Sequence, residues 1–235
     1  MKKQFEYFGR YFKKDLKVVL TKGDEPVGNG IGPVLEMIDV ISVLEARKTP
    51  SDLEKKTIFL SGQILEMTGK AKKGKGELLA AEILYSGKAL KKFKEIIIAQ
   101  KGNPANFHKL KPGKFKYSFK SKRNGTILEI DNKKINNIAR IAGCPIDKTA
   151  GIYLNFHTKE KIRKSDCLLT VYAESEMKLK QVIKYCNSSK PIRIKWEITL
   201  SKSHPPNSSL DLVINKINLS KSKLSPKANN LELAR

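Results

Sequence analysis

Residues Lys17 to Arg47, KVVLTKGDEPVGNGIGPVLEMIDVISVLEAR, decide how the rest of the chain reads. Val18, Val19 and Leu20 form a short β-branched, apolar run of the kind a buried strand uses. A turn dense in breakers follows, with Gly23, Pro26, Gly28, Gly30 and Gly32. Beyond it Val34, Leu35, Ile38, Ile41 and Val43 recur at helical spacing. Pro33 suits the first turn of that helix, where its missing N–H breaks no bond. Strand, glycine loop and helix N-terminus together form a frequent arrangement for holding an anion or a ribose-phosphate, because the first N–H groups of a helix have no partner within it. The loop has neither G-x-G-x-x-G nor Walker lysine spacing, so a plain structural turn fits it as well.

Composition sets the outer bounds. A chain of 235 residues with 40% hydrophobic content can bury a core in one large or two small units. No apolar run approaches the roughly 18 residues of a membrane span. MKKQFEYFGRYFKK at the start lacks the apolar stretch of a secretory signal; Phe5, Phe8, Tyr11 and Phe12 instead predict an amphipathic helix. Cys144, Cys167 and Cys186 are odd in number and lack C-x-x-C spacing, so they read as free, mostly buried thiols of a reducing, cytoplasmic compartment. His108, His157 and His204 share no metal-ligand spacing. A net charge of +24 invites a nucleic-acid reading. The lysines are spread along the chain without the aromatic interleaving of an RNA-binding module, which favours instead a basic rim for a phosphorylated substrate or free phosphate.

In order along the chain, Thr49-Pro50-Ser51-Asp52-Leu53 starts a helix that carries Leu53, Ile58, Leu60, Ile64, Leu65 and Met67 and stops near Gly69. Ala71 to Gly76 is a lysine-glycine linker. Two further helices meet at Ser86-Gly87: Glu77 to Tyr85, expected to bury Leu78, Leu79, Ile83 and Leu84, and Lys88 to Gln100, expected to bury Leu90, Phe93, Ile97 and Ile98. Asn103-Pro104 marks a domain boundary. From Pro112 the period drops to two, with Phe115, Tyr117 and Phe119, then Ile127, Leu128 and Ile130 around the hairpin dipeptide Asn124-Gly125. Asn132 to Ala142 is a helix capped by Asp131 or Asn132 and stopped by Gly143. Gly151 to Phe156, Leu168 to Tyr172 and Pro191 to Ile194 are strands, and Ser175 to Tyr185 is an amphipathic helix. Ser201 to Arg235 is polar and basic and reads as a disordered tail, though Leu210, Leu212, Val213, Ile214 and Ile217 could add a strand. The expected fold is a partial α/β domain with a helical block over residues 1–103, then a small α+β module of strand hairpins and short helices over 104–200, then the tail over 201–235.

Several motifs carry a family resemblance. Pro26-Val27-Gly28-Asn29-Gly30-Ile31-Gly32-Pro33-Val34-Leu35-Glu36 resembles the Q-P-(L/V/I)-G-x-x-(I/V)-G-x-x-(L/V)-E stretch of the pyrimidine-nucleoside, thymidine and AMP phosphorylases. Ser86-Gly87-Lys88-Ala89-Leu90-Lys91-Lys92-Phe93, followed by Ala99-Gln100-Lys101-Gly102, is similar to their S-G-K-A-L-x-x-F and A-Q-x-G. Glu129-Ile130-Asp131-Asn132, Asp147-Lys148-Thr149-Ala150-Gly151-Ile152-Tyr153-Leu154 and Tyr172-Ala173-Glu174-Ser175-Glu176 continue the likeness in order, from about Gln4 to Ile194, and most resemble the AMP-phosphorylase-like thymidine phosphorylases. The resemblance implies a pentosyltransferase that uses inorganic phosphate to release a base from a nucleoside or nucleotide. The lysine-serine segment, phosphate loop and base-reading segment of that family match nothing here, so this chain alone is expected to lack catalytic residues. Gly28, Asn29, Gly30 and Gly32 would only frame a phosphate cleft, and a separately made N-terminal half could be a partner. The resemblance also implies part of a potassium site, from the carbonyls of Val27 and Gly30 and the carboxylate of Asp39, where relatives usually carry Glu. Lys22 and Glu25 stand where relatives usually have Asp and Gln; they change the charge beside the cleft or simply face solvent.

Other readings compete. A non-catalytic interaction module that keeps the C-terminal fold is the main alternative. Ser86 and Ser175 lack a nucleophile elbow, Cys167 with His157 would be a nucleophile–base pair, and Asp24-Glu25 would be an acid/base pair. Glu174-Ser175-Glu176-Met177-Lys178-Leu179 is similar to the lysine motif of biotin carriers, which needs Lys178 at an exposed hairpin tip. Helical spacing continues through Met177, Leu179, Val182 and Ile183, which favours a plain helix.

Overall fold

A computed structural model of the chain describes residues 1–47 and 50–197. Thr49 and the expected tail, with its possible strand, lie outside the described residues. The mixed α/β class is as expected. The helical block comprises α1 (Lys2–Tyr11), a two-residue strand β1 (Gly30–Ile31), α2 (Pro33–Leu44), α3 (Ser51–Met67), α4 (Gly76–Tyr85) and α5 (Lys88–Ala99). A 3-10 turn over Pro104–Lys109 leads into β2 (Phe115–Lys120), β3 (Gly125–Ile130), α6 (Asn132–Ala142), β4 (Gly151–Leu154), β5 (Lys161–Ile162), β6 (Cys167–Ala173), α7 (Glu176–Ser189) and β7 (Ile192–Trp196).

The strands make two antiparallel sheets, one in the order β1-β4-β6-β2 and one in the order β5-β3-β7. Helices α6 and α7 pack on each other and on the first sheet. Between them lies the core, with Ile127, Ile130, Ile135, Ile138, Ile152, Val171 and Val182 all fully buried. Local chemistry fixes the helix ends. The Asp131 carboxylate accepts from the Lys133 and Lys134 N–H groups at 3.0 and 3.1 Å, and Gly143 stops α6 at φ 125°, a conformation that costs a residue without Cβ little. The Ser175 hydroxyl accepts from the Lys178 N–H at 3.2 Å and starts α7.

Three expectations fail here. Val18 to Leu20 is not a buried strand: the segment is irregular and Leu20 is 80% exposed. A strand needs a neighbour to take its backbone N–H and C=O groups, and among the described residues none pairs with this run; the strand beside α2 is Gly30–Ile31 instead. Asn124-Gly125 is not a hairpin turn either. β2 pairs with β6, whereas β3 pairs with β5 and β7, so the dipeptide carries the chain from one sheet to the other. There the Asn124 side chain accepts from the Lys164 N–H at 2.8 Å and its carbonyl from the Glu197 N–H at 3.0 Å. The period-two pattern on either side is right, but its two halves have different partners. Finally, the helices of the block bury less than their spacing implies: Leu78, Ile64 and Ile98 are more than half exposed, and α1 and α5 bury no residue fully.

Candidate functional site

The glycine loop sits where the helical block meets the α+β module. Gly30 and Ile31 pair with Tyr153 and Ile152 of β4, the Leu154 N–H donates to the Asn29 carbonyl at 2.8 Å, and the Val34 N–H donates to the Lys148 carbonyl at 3.1 Å. The approach is close enough to demand glycine. A Cβ on Gly30 would lie 2.5 Å from the Leu35 backbone, and one on Gly151 would lie 2.1 Å from the Ile31 carbonyl oxygen.

The N–H groups of Gly28, Asn29, Gly30 and Gly32 are all committed to carboxylates. Asp39, in the second turn of α2, accepts from the Asn29 and Gly30 N–H groups through the same Oδ2, at 2.7 Å each. Asp52 of α3 accepts from the Gly28 N–H at 2.9 Å, and Glu36 accepts from the Gly32 N–H at 2.9 Å. A second layer comes from the module. The Asn29 amide donates to the Tyr153 hydroxyl at 3.1 Å, and its Oδ1 lies 2.9 Å from His157 Nε2. Glu25 accepts from both the N–H and the hydroxyl of Thr158, at 2.8 and 2.9 Å. Its Oε2 is 3.4 Å from His157 Nδ1, an ion-pair distance without hydrogen-bond geometry. Burial pushes the Asp39 carboxyl above its ordinary 3.8; the N–H bonds of Gly30 and Asn29 pull it back in part, and the nearby Asp52 charge adds to the rise.

This geometry changes what the loop can do. Gly28, Asn29, Gly30 and Gly32 are brought together as the sequence predicts, but their N–H groups point at carboxylates, and the α2 N-terminus is covered by the Lys148 carbonyl. Any cleft they frame is framed by backbone shape and by acidic side chains. Gly30 and Asp39 are likewise neighbours, and Val27, which precedes Gly28, is 37% exposed. Asp39 Oδ2 accepts from the Asn29 and Gly30 N–H groups. Among the described residues no group of three or more His, Cys, Asp or Glu side chains is placed to hold a metal ion.

The competing sites do not assemble. Cys167 contacts Asn155 and Thr170 rather than His157. Ser175 is a helix cap, and Ser86 donates to the Ile83 carbonyl at the end of α4. Glu25, expected to face solvent or to pair with Asp24, turns inward to Thr158. Lys22 does lie on the surface, where its carbonyl accepts from the Lys56 ammonium. Lys178 stands in the first turn of α7 and pairs with Glu174 four residues before it, which removes the hairpin tip a biotin carrier requires. Asp52 and Tyr153 were not legible as site residues, and His157 reads from sequence only as a base for Cys167. They reach the loop from 24 to 128 positions away, and only strand pairing and helix packing bring them there.

Residues 126–193 match the family model described as the pyrimidine nucleoside phosphorylase C-terminal domain. The AMP phosphorylase of Methanococcoides burtonii is 45% identical over 178 residues, which is 75% of this chain and 35% of that protein. This chain belongs to the thymidine, pyrimidine-nucleoside and AMP phosphorylase family. It corresponds to the C-terminal portion of the phosphorylases. The AMP phosphorylases of Methanocaldococcus jannaschii and Thermococcus kodakarensis are similar at 42% and 41% identity, over 74% and 82% of this chain. The chain spans little more than a third of the length of these relatives, 35–38%. No helix among the described residues is long and apolar enough to cross a membrane.

Proposed function

We propose that this chain is the C-terminal portion of a nucleotide phosphorylase, with AMP a better candidate substrate than a pyrimidine nucleoside. The reaction joins a phosphate oxygen to the sugar C1′ while the C1′–N bond breaks and the base leaves with the bonding electrons, to be protonated. Identity of 36–45% to proteins named AMP phosphorylases, over 75–82% of this chain, carries this reading. The loop supports it as a rigid wall. Four carboxylates, Asn29, Tyr153 and His157 hold the backbone at a fixed distance from β4, and such fixed placement is what a positioning reaction requires.

The same geometry assigns limited chemistry to the chain itself. The charged side chains that bond the loop N–H groups are all acidic, and a phosphate dianion is stabilised by donors and cations. The groups that bind phosphate and read the base are therefore expected on the portion of the relatives that this chain does not match. That observation also favours a second reading, in which the fold serves as an interaction module without catalysis.

Release of free base from AMP, thymidine or uridine in the presence of phosphate separates the two. The purified 235-residue chain is expected to release none, and release from AMP is expected once the upstream portion of the Methanococcoides burtonii AMP phosphorylase is added. Base release by the chain alone, above a heat-killed control, would overturn the assignment of catalytic groups to the unmatched portion. A folded chain that stays silent in both settings would leave the interaction module.

A further inference from the structure

The two sheets leave their free edges, β2 in one and β7 in the other, on the two sides of one groove, with the C-terminal end of α7 between them. The groove encloses about 750 Å³ and shares no residue with the glycine loop. That volume is within the range of small-molecule sites, roughly 300–1,000 Å³. Its lining is basic and aromatic. Lys120, Lys122 and Lys190 line it, and none of the three has an ion-pair partner among the described residues. Its two acids are already neutralised within the groove, Glu129 by Arg193 at 2.7 Å and Asp131 by Lys134 at 3.5 Å. The remaining local charge is therefore close to +3, carried by flexible ammonium groups. Phe119 and Trp196 belong to the same lining, and Trp196 is 39% exposed.

One further group lacks a partner. Ser189 belongs to the lining of the groove, and its hydroxyl oxygen is buried and makes no hydrogen bond. A buried hydroxyl without a partner is destabilising, and a ligand oxygen at this point would satisfy it. Lysines on an edge strand also discourage edge-to-edge pairing of sheets. That role explains Lys120 on β2. It does not explain a lysine at the end of α7, the Ser189 hydroxyl, or an indole beside three uncompensated cations.

We propose that this groove is a binding site for a nucleoside polyphosphate. The phosphates lie against Lys120, Lys122 and Lys190, and the Ser189 hydroxyl donates to a phosphate oxygen. The base stacks on the Trp196 indole, because every nucleobase offers a π-face and base–aromatic stacking is tolerant of base identity. The charge of a di- or triphosphate matches the three free lysines, and the strongly basic chain raises the local concentration of such anions.

Trp196 is the only tryptophan in the chain, so its fluorescence reports on this groove directly. The full chain is titrated with ATP, adenosine and inorganic tripolyphosphate in 0.1 M salt, and binding is checked by calorimetry. ATP is expected to quench the indole saturably, at least tenfold more tightly than either adenosine or tripolyphosphate. The K120A/K190A double variant, with unchanged circular dichroism, is expected to lose at least tenfold in ATP affinity. Ser189→Ala is expected to lose severalfold without loss of fold, which an adventitious surface lysine effect would not produce. Absence of quenching would overturn the site. Equal affinity for tripolyphosphate would overturn the nucleotide assignment in favour of a bare polyanion patch. Tighter binding of a single-stranded RNA oligomer, with a steep salt slope, would overturn it in favour of a nucleic-acid surface.

Discussion

The α+β module and the helical block are built to different standards. Residues from β3 to α7 supply a continuous core in which Ile127, Ile138, Ile152 and Val171 expose no surface. In the block, α2 buries Leu35, Ile41 and Val43, and α4 buries Ala80 and Leu84, while α1 and α5 bury nothing fully. Phe5, Tyr7, Phe8, Tyr11 and Phe12 of the first twelve residues all remain more than half exposed. The contrast teaches that periodicity reports the face a helix could bury, whereas the number of elements available to cover that face decides whether it is buried. The glycine loop belongs with the module in this respect, since β1 is a strand of its first sheet and the N–H groups of Gly28, Asn29, Gly30 and Gly32 are all satisfied.

Substitutions sharpen that contrast. Ile138→Ala, in the module core, is expected to cost about 2–5 kcal/mol in urea unfolding, from lost transfer energy and the cavity left behind. At the seam, Gly30→Ala forces a Cβ against the Leu35 backbone and is expected to cost about 1–3 kcal/mol. Asp39→Ala strands two N–H groups at once and falls in the same range of about 1–3 kcal/mol, while Asp39→Asn, which keeps an acceptor, costs less. A seam variant as mild as a surface change would break the claim that the loop is structurally part of the module.

A smaller effect is read through pH. Burial pushes the Cys186 thiol from 9.0 up to about 12. The folded state therefore keeps this proton while the unfolded chain loses it, so the contribution is intact below pH 9 and is lost as pH rises from 9 towards 12. The expected slope is about 1.4 kcal/mol per pH unit at most, seen as the difference between the parent chain and Cys186→Ala. Smallest of all, Ile98→Ala on the exposed face of α5 is expected to stay within about 0.5 kcal/mol. A loss of several kcal/mol there would show that α5 is covered after all.

Much of the fold was legible because its signals are local. Asp131 and Gly143 bracket α6, Ser175 starts α7, and the alternation of Phe115, Tyr117 and Phe119 marks β2. The failures share one cause, which is that strand identity depends on a partner. Val18 to Leu20 has strand composition and no neighbour, and Asn124-Gly125 has hairpin chemistry while the strands beside it pair elsewhere. The loop itself was readable from its glycines and from Asp39 on the next helix. Its second layer was not, because Tyr153 and His157 come from β4 and the turn after it, at a register that no single-sequence pattern encodes.

Hydrogen exchange on the full chain tests most directly the claim that the glycine loop is a committed part of the module rather than an open anion cradle. The account predicts that the Asn29 and Gly30 amides exchange as slowly as those of Ile152 and Val171, and that amides of α1 and α5 exchange far faster. Exchange of Asn29 and Gly30 at the rate of an open loop, with slowing only when phosphate is added, would contradict it.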